Sequence, residues 1–517
     1  MSLRSGSSGQ LIVASTVTAA AAAALGVCVL LLVRRRTSSA NDRLTKDEVR
    51  SIRERYFSNA VSVSYSNTDP LMIVGGRGSK LHDSSGRTFL DTRNNVCHVG
   101  HVNSNVSKAV QRQVATLNTN TRYLHPNASL LARRLANLLP DPLEVVFLVN
   151  SGSEANDLAL RLARAATGSK NTIVVDGAYH GHTLACLEVS PYKYEHSAEF
   201  TLVKQREHEP VGLSNPATPG KHIWKVPSPD TFRGHHRGGL AGKEYAQYVE
   251  DACQVYKHER NEKVGAFIIE GGMSVAGVIL PPPSYLERSV NAIRSAGGVY
   301  IADEVQTGFG RLGSSYWAFQ HGSDVDDAGP TAVVPDIVTV GKPFGNGMPL
   351  AAVVTTRAVS NAFESMGVEY FNTFGGNPVC SAAGLAVLDS IESASLQNHA
   401  RKVGAYLIDR FRRLQERVDI IGDVRGSGLF VGIELVRDHD PSSLEPAGPE
   451  TSFICAALKE KYHILTSIDG PHENVLVIKP PMMFSKKDVD RFVYCFEKAT
   501  EGLADLSGLG EITKTPT

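Results

Sequence analysis

The sequence has no surplus of either charge. Its 53 Lys and Arg are matched by 53 Asp and Glu over 517 residues. No basic excess is available to neutralise phosphates, which excludes nucleic acid as a partner. The low hydrophobicity and high net charge of a disordered chain are also absent, since 42% of residues are apolar and 21% charged. Cysteine is scarce and scattered, at 28, 97, 186, 253, 380, 455 and 495, with no CxxC pair. That odd count and wide spacing exclude a disulfide scaffold and a structural zinc site, and point to a reducing compartment. His98 and His101 have no Cys or acid at ligand spacing, so no metal is expected.

One long uncharged run is present. Leu11–Val33 holds 23 residues without a charged side chain. At about 1.5 Å per residue, such a helix spans the roughly 30 Å core of a bilayer. Arg34, Arg35 and Arg36 follow it, and only Arg4 precedes it, which predicts that the C-terminal side faces the cytoplasm. Residues 1–45 are therefore expected to form a single-pass transmembrane anchor and its basic flank. The alternative is a mitochondrial presequence, which the acid-free first 41 residues fit and the length of the apolar stretch does not. Residues 42–517 then carry 49 basic and 53 acidic groups, a mildly acidic body.

In that body, short apolar runs alternate with amphipathic stretches. Strands are expected at Val145–Val149, Thr172–Asp176, Ala266–Glu270, Val299–Val305, Asp336–Val340 and Leu350–Thr356. Helices are expected at Ala155–Ala166 and Tyr285–Ala296. Near-continuous apolar strands joined by helices predict an α/β fold with a mostly parallel sheet buried on both faces. Residues 205–245 hold Pro, Gly, His and charge with little periodicity and read as a surface excursion. After residue 380, helical Cys380–Ser393, Gln397–Val418, Thr451–Tyr462 and Lys486–Leu503 surround strand-like Leu429–Val436, a smaller α+β domain.

Three features carry chemistry. Asn150-Ser151-Gly152-Ser153-Glu154 lies between a strand and a helix; Ser151 and Glu154 have the spacing of a capping box, and the helix N-terminus suits a phosphate. Asp303 and Glu304 end an apolar strand, at the edge where open α/β sheets bind ligands. Lys342 ends another strand, before Pro343 and Gly345, where apolar surroundings make an amine a usable nucleophile. Alone, each also fits a plain cap, an ion pair or a surface lysine. Together they meet the needs of pyridoxal phosphate: a phosphate cradle, a carboxylate for the pyridine nitrogen and a lysine for the aldehyde. Gly308–Gly313 matches GxGxxG but follows two acids, and no helix is expected after it, so it is not read as a nucleotide loop.

The chain resembles the class III aminotransferases of the type I pyridoxal-phosphate fold over about residues 45–500. The resemblance rests on Ser151–Asn156 (SGSEAN), Ala178–Thr183 (AYHGHT), Asp303–Arg311 (DEVQTGFGR), the Lys342 segment and Phe371–Pro378 (FNTFGGNP). It implies that Gly152 and Ser153 hold the cofactor phosphate and that Tyr179 stacks on the pyridine ring. Asp303 then pairs with the ring nitrogen, Gln306 lies by the phenolic oxygen, and Lys342 binds the aldehyde. Thr373 reaches the cofactor phosphate of a neighbouring subunit, which implies a homodimer with shared active sites. The expected division is 46–95 packing with the small domain, 96–375 as the large cofactor-binding domain, 376–505 as the small domain and 506–517 as a tail.

Family members that exchange amino groups between two amino acids commonly carry an Arg for the substrate carboxylate and a Glu that neutralises it. Val477 and Val275 stand at those positions. Valine cannot make the bidentate pair that Arg makes with a carboxylate. Asn94–His101, Ser190–Tyr194, Pro229–Gly234 and Asp469–Val475 look like the ethanolamine-phosphate and phosphohydroxylysine phospho-lyases. The expected reaction is therefore elimination of phosphate and ammonia from a small phosphorylated amine, with an ω-aminotransferase as the alternative. Lys193, Arg233 and Arg237 are the candidates for holding substrate phosphate, chosen for charge within those stretches. The sequence departs from that branch at Val477, where a Lys is usual, and at Val102-Asn103-Ser104.

Overall fold

The computed structural model describes residues 44–66, 69–194, 220–322 and 333–503. The expected membrane segment, Leu11–Val33, lies outside the described residues. Among the described residues, no single helix is long and apolar enough to cross a membrane. The chain divides into two compact units. One runs to Val74 and includes Asp83–Gly86. Its helix α1 (Lys46–Tyr56) opens on a capping box made by Thr45 and Glu48. The other holds Gly75–His82 and everything from Arg87 onward, and carries the site.

The centre of this second unit is a seven-stranded sheet. Its strands in chain order are β1 (Leu143–Val149), β2 (Thr172–Val175), β3 (Ile223–Val226), β4 (Ala266–Glu270), β5 (Val299–Asp303), β6 (Ile337–Val340) and β7 (Ala351–Thr356). Their order across the sheet is β1-β7-β6-β5-β4-β2-β3. Strands β2 to β6 pair in parallel, while β7 runs antiparallel to both β1 and β6. Strands β2, β4 and β6 are buried at every residue, as expected of a sheet covered on both faces. The core joins Val174, Ile268, Ile301, Ile337 and Val353 to Leu158 and Leu162 of the helix that follows β1.

Parallel strands align their C-terminal ends, so Val149, Val175, Glu270, Asp303 and Val340 reach one edge of the sheet. That edge is where the chain leaves each strand with a chemically useful residue. Helix α2 (Gly152–Thr167) starts three residues after β1. Ser151 caps it by accepting from Glu154 N, and Gly168, in the left-handed region at φ 70°, ends it. The expected capping box is only half formed. The Glu154 carboxylate reaches past Ser151 and accepts from Asn150 N at 2.9 Å and Asn150 Nδ2 at 3.0 Å.

The surface excursion expected over 205–245 needs correcting at two places. Ile223–Val226 pairs in parallel with β2 and ends the sheet, and a helix begins at Ala241. The strand is four residues long, with Lys225 exposed, so it shows no long apolar run. The Gly308–Gly313 segment is a turn, with Gly310 and Gly313 at φ 79° and 71°. A smaller antiparallel sheet follows, in the order β8 (Ile421–Ser427), β9 (Phe430–Leu435), β11 (Val475–Ile478), β10 (Ser467–Asp469). Helices Leu396–Gln415 and Gly448–Tyr462 pack on this sheet, and Lys486–Glu501 packs on both helices. This is the α+β arrangement expected after residue 380.

Candidate active site

A cavity of about 420 Å³ opens at the C-terminal edge of the large sheet. Gly152, Ser153, Tyr179, Asp303, Gln306 and Lys342 all line it. The sequence motifs are therefore brought together although they span nearly two hundred residues.

The glycine-containing turn is closely fitted. A Cβ on Gly152 would stand 2.8 Å from Val305 Cγ1, and one on Gly181 2.7 Å from Ser153 Oγ. The backbone can thus approach a ligand where any side chain would obstruct. The first-turn N–H groups of α2 have no partner within the helix, and the dipole adds positive charge there. Ser153 Oγ accepts from His182 N at 3.1 Å, which joins the Ala178–Thr183 loop to the turn.

Asp303 is buried and fully oriented. Its Oδ2 accepts from Asn156 Nδ2 and from His180 Nδ1, both at 2.8 Å, and its Oδ1 accepts from Val305 N at 3.0 Å. Asn156 in turn accepts from Thr339 Oγ1 at 2.6 Å and donates to the His180 carbonyl. Such a carboxylate is held for a cation, which a protonated pyridine nitrogen supplies. Glu270, beside it on β4, accepts from Tyr179 N at 3.0 Å. Burial pushes its carboxyl up to about 7. Burial likewise lowers Lys342 from the ordinary lysine range, against the opposing charges of Asp303 and Glu270. A lysine shifted that way reaches its neutral, nucleophilic form more easily. The cradle, the oriented carboxylate and the lysine fit pyridoxal phosphate.

Lys193 lies 5.8 Å from the centre of the Tyr179 ring and 5.1 Å from that of Tyr192. None of Lys193, Arg233 and Arg237 lines the cavity. Arg233 is bound by the buried Glu434 and by the Leu444 carbonyl. Arg237 donates to the carbonyls of Gly234, Pro441 and Arg233. Their charge is spent on holding loops. Thr373 is exposed in this chain.

A second lysine was not legible in the sequence. Lys479, at the end of β11, donates to Ser274 Oγ at 2.7 Å and lies 3.9 Å from Asp469 Oδ2. Burial pulls it down to about 8, and the nearby charge of Lys342 acts in the same direction. Burial raises Asp469, against the charges of Lys479, Arg93 and Lys193. The charges of three cations therefore act on one acid, and that of Lys342 acts on Lys479. The one available signal was a lysine ending an apolar strand before Pro480-Pro481, the same pattern that marks Lys342.

Residues 60–500 match the class-III aminotransferase family, and the chain belongs to it. It is 43% identical to an alanine–glyoxylate aminotransferase 2-like protein of Drosophila melanogaster, over 89% of this chain and 88% of that one. It is 38% identical to the ethanolamine-phosphate phospho-lyase homolog 1 of Caenorhabditis elegans, over 87% of this chain and 93% of that one. It is 35% identical to the mitochondrial alanine–glyoxylate aminotransferase 2 of Homo sapiens, over 88% and 86%. Among solved structures, a phospholyase from Arthrobacter in complex with phosphoethanolamine superposes with a TM-score of 0.76 at 34% identity, covering 88% of this chain and 99% of that one. The protein is an enzyme dependent on pyridoxal phosphate, with the fold that the resemblance implied.

Proposed function

We propose that the enzyme is a phospho-lyase, releasing phosphate and ammonia from a small phosphorylated amine such as phosphoethanolamine or phosphohydroxylysine. The observation that carries this reading is the buried Lys479, 3.9 Å from Asp469, on which the charges of Arg93 and Lys193 also act. Positive groups outnumber acids there, which suits a phosphate monoester near −2. Val477 supports the same reading, because it is buried against Val278, Leu312 and Phe430, where an arginine for a second amino acid's carboxylate would find no room.

In this reading Gly152 and Ser153 would hold the cofactor phosphate, Tyr179 and Gln306 would hold its ring, and Asp303 would keep the ring nitrogen protonated. The cofactor supplies an aldehyde that takes up the substrate amine and a ring that accepts electrons from the broken C–H bond. Lys342 would hold the aldehyde and, as a free amine, would take the proton from the substrate carbon bearing nitrogen. Lys479, Lys193 and Arg93 orient the phosphate on the next carbon and balance its charge as it leaves. Arg233 and Arg237 keep the 229–237 loop in place.

Amino transfer to pyruvate or glyoxylate is the second reading, favoured by the relatives named alanine–glyoxylate aminotransferases. Incubation with phosphoethanolamine or phosphohydroxylysine is expected to release phosphate and ammonia in equal amounts. Amino transfer to a keto acid without phosphate release refutes the lyase reading.

The enzyme is proposed to act as a homodimer in which Thr373 completes the neighbouring site. Thr373 lies in an exposed apolar patch with Phe371 and Phe374, 45% and 61% exposed. Thr121 and Arg122 contact this segment and carry Tyr123 and Leu124, 70% and 103% exposed, beside it. The proposed division of the body keeps 46–95 as an N-terminal segment, 96–375 for the cofactor and 376–505 for the small domain. For the N-terminus we propose the membrane anchor with the enzyme facing the cytoplasm, and a mitochondrial presequence as the alternative. Deleting residues 1–36 is expected to leave an active enzyme. Full-length protein that alkaline carbonate strips from membranes refutes the anchor.

A further inference from the structure

The half-formed capping box of α2 differs from two others in the chain. In α1, Glu48 accepts from Thr45 N at 2.7 Å. In the helix Lys486–Glu501, Asp488 accepts from Ser485 N at 2.9 Å. Each acid closes on the residue that caps its own helix. Glu154 does not close on Ser151. Its Oε2 accepts instead from Asn150 N at 2.9 Å, from Asn150 Nδ2 at 3.0 Å and from Asn372 Nδ2 at 3.0 Å. Ser151 N makes no hydrogen bond among the described residues.

Asn372 is itself fixed. Its Oδ1 accepts from Asn150 Nδ2 at 2.9 Å and from Gly375 N at 3.0 Å, and its carbonyl accepts from Thr121 Oγ1 at 2.9 Å. With Oδ1 taken, the amide turns its Nδ2 donor to Glu154. Asn150, Ser151, Gly152 and Ser153 all line the cofactor cavity. An acid closed on Ser151 N would occupy an N–H of that turn and set a negative charge at the helix end that suits a phosphate. Held by Asn372 and Asn150, the same acid leaves the N–H available. Three donors replace the one it gives up.

We propose that Asn372 is a positioning residue for the cofactor phosphate: it acts through Glu154, drawing that carboxylate off the start of α2 so that Ser151 N joins Gly152 and Ser153 in the cradle. Two anions, the carboxylate and the phosphate, compete for one set of N–H donors, and Asn372 decides the competition for the phosphate. Its neighbour Thr373 is the residue assigned above to the adjoining subunit's site, so one short segment serves two cradles, its own through Asn372 and the partner's through Thr373. The inference rests on the cradle assigned to Gly152 and Ser153.

The test measures binding and needs no turnover. Full-length enzyme freed of cofactor is dialysed to equilibrium against pyridoxal phosphate and, separately, against pyridoxal, which lacks the phosphate. One charge-assisted hydrogen bond corresponds to about a 10-fold change in affinity or more. Asn372→Leu is expected to lose that much for pyridoxal phosphate and to change little for pyridoxal. Adding Glu154→Ala to Asn372→Leu is expected to restore most of the loss, because no carboxylate remains to compete. A variant that merely loosens the fold is not rescued by removing a second side chain. Glu154→Asp, too short to reach Asn372, is expected to reproduce the loss with Asn372 intact, and it decides the matter if Asn372→Leu does not fold. Equal losses for both ligands, no loss, no recovery in the double variant, or a loss that gel filtration traces to subunit dissociation overturns the proposal. If Gly152→Ala leaves the affinity for pyridoxal phosphate unchanged, the cradle itself is misassigned. If Gly152→Ala lowers it and neither Asn372→Leu nor Glu154→Asp does, the role of Asn372 alone fails.

Discussion

Replacing Lys479 with Met removes one ammonium group and keeps the length and apolar stem of the side chain. The lysine is largely buried, with 12% of its side chain exposed, and its recorded partners are Ser274 Oγ and Asp469. Full Coulomb attraction between unit charges 4 Å apart is about 4 kcal/mol at an effective dielectric constant of 20. Asp469 already offsets part of that, so a net charge-assisted hydrogen bond of about 1.5–3 kcal/mol is the better figure. Lost in the transition state, it lowers kcat/KM by about 10- to 150-fold. The discriminating assay compares phosphoethanolamine with an unphosphorylated amine of the same length in the half-reaction with the cofactor. The loss is expected for the phosphorylated amine alone. Because Lys479 sits near pKa 8, its charge is present below that pH and lost above it. The kcat/KM for the phosphorylated amine should therefore fall above pH 8 in the native enzyme more steeply than that for the plain amine, and this difference should vanish in Lys479→Met. Equal losses for both amines, or none for either, refute phosphate recognition by Lys479.

Asp303→Asn leaves the His180 and Asn156 donors facing an amide in place of a buried charge. Removing one member of a buried pair costs about 3–5 kcal/mol, so turnover should fall at least 100-fold while the cofactor still binds; an enzyme within tenfold of native refutes the role. Gly152→Ala pushes a methyl group against Val305 at 2.8 Å. Valine is stiff at χ1 and overpacking costs about 1–3 kcal/mol, so cofactor affinity measured by equilibrium dialysis should drop roughly 5- to 150-fold. Arg233→Ala takes one of two arginines from the buried Glu434, whose pair with Arg425 at 2.7 Å remains. Urea unfolding should show a loss of about 3 kcal/mol, with KM for the phosphorylated amine unchanged within twofold. A large rise in KM would return Arg233 to the substrate site.

The strands were legible because burial on both faces leaves an unbroken apolar run, as at Ala266–Glu270, where the expected and observed bounds coincide. Ile223–Val226 was not, because an edge strand four residues long with Lys225 facing solvent carries no such signal. Gly152, Asp303 and Lys342 stood out because each breaks an apolar strand with a polar or flexible residue at the edge where ligands bind. Their orienting partners did not. Asn156 sits one turn into a helix and Thr339 inside a strand, positions where polar residues are ordinarily unremarked. Lys193, Arg93 and Lys479 act on one acid only through the fold, from positions at least a hundred residues apart. Charge within a branch-specific stretch selected Lys193 together with Arg233 and Arg237, and the last two serve as ties.

The reversal of β7 bears on how the enzyme is made. Strand β1 lies at the sheet edge and pairs only with β7, from Val149↔Ala351 to Leu143↔Thr356. Its partner leaves the ribosome roughly two hundred residues later. At about 5–20 residues per second, an apolar strand reading LEVVFLV waits some 10–40 seconds without its neighbour. Gly152 and Lys342, near the two ends of that interval, line one cavity in the finished fold. A nascent chain is therefore both most prone to aggregate and unable to take up cofactor over the same interval, so loading with pyridoxal phosphate marks the end of synthesis of the large sheet.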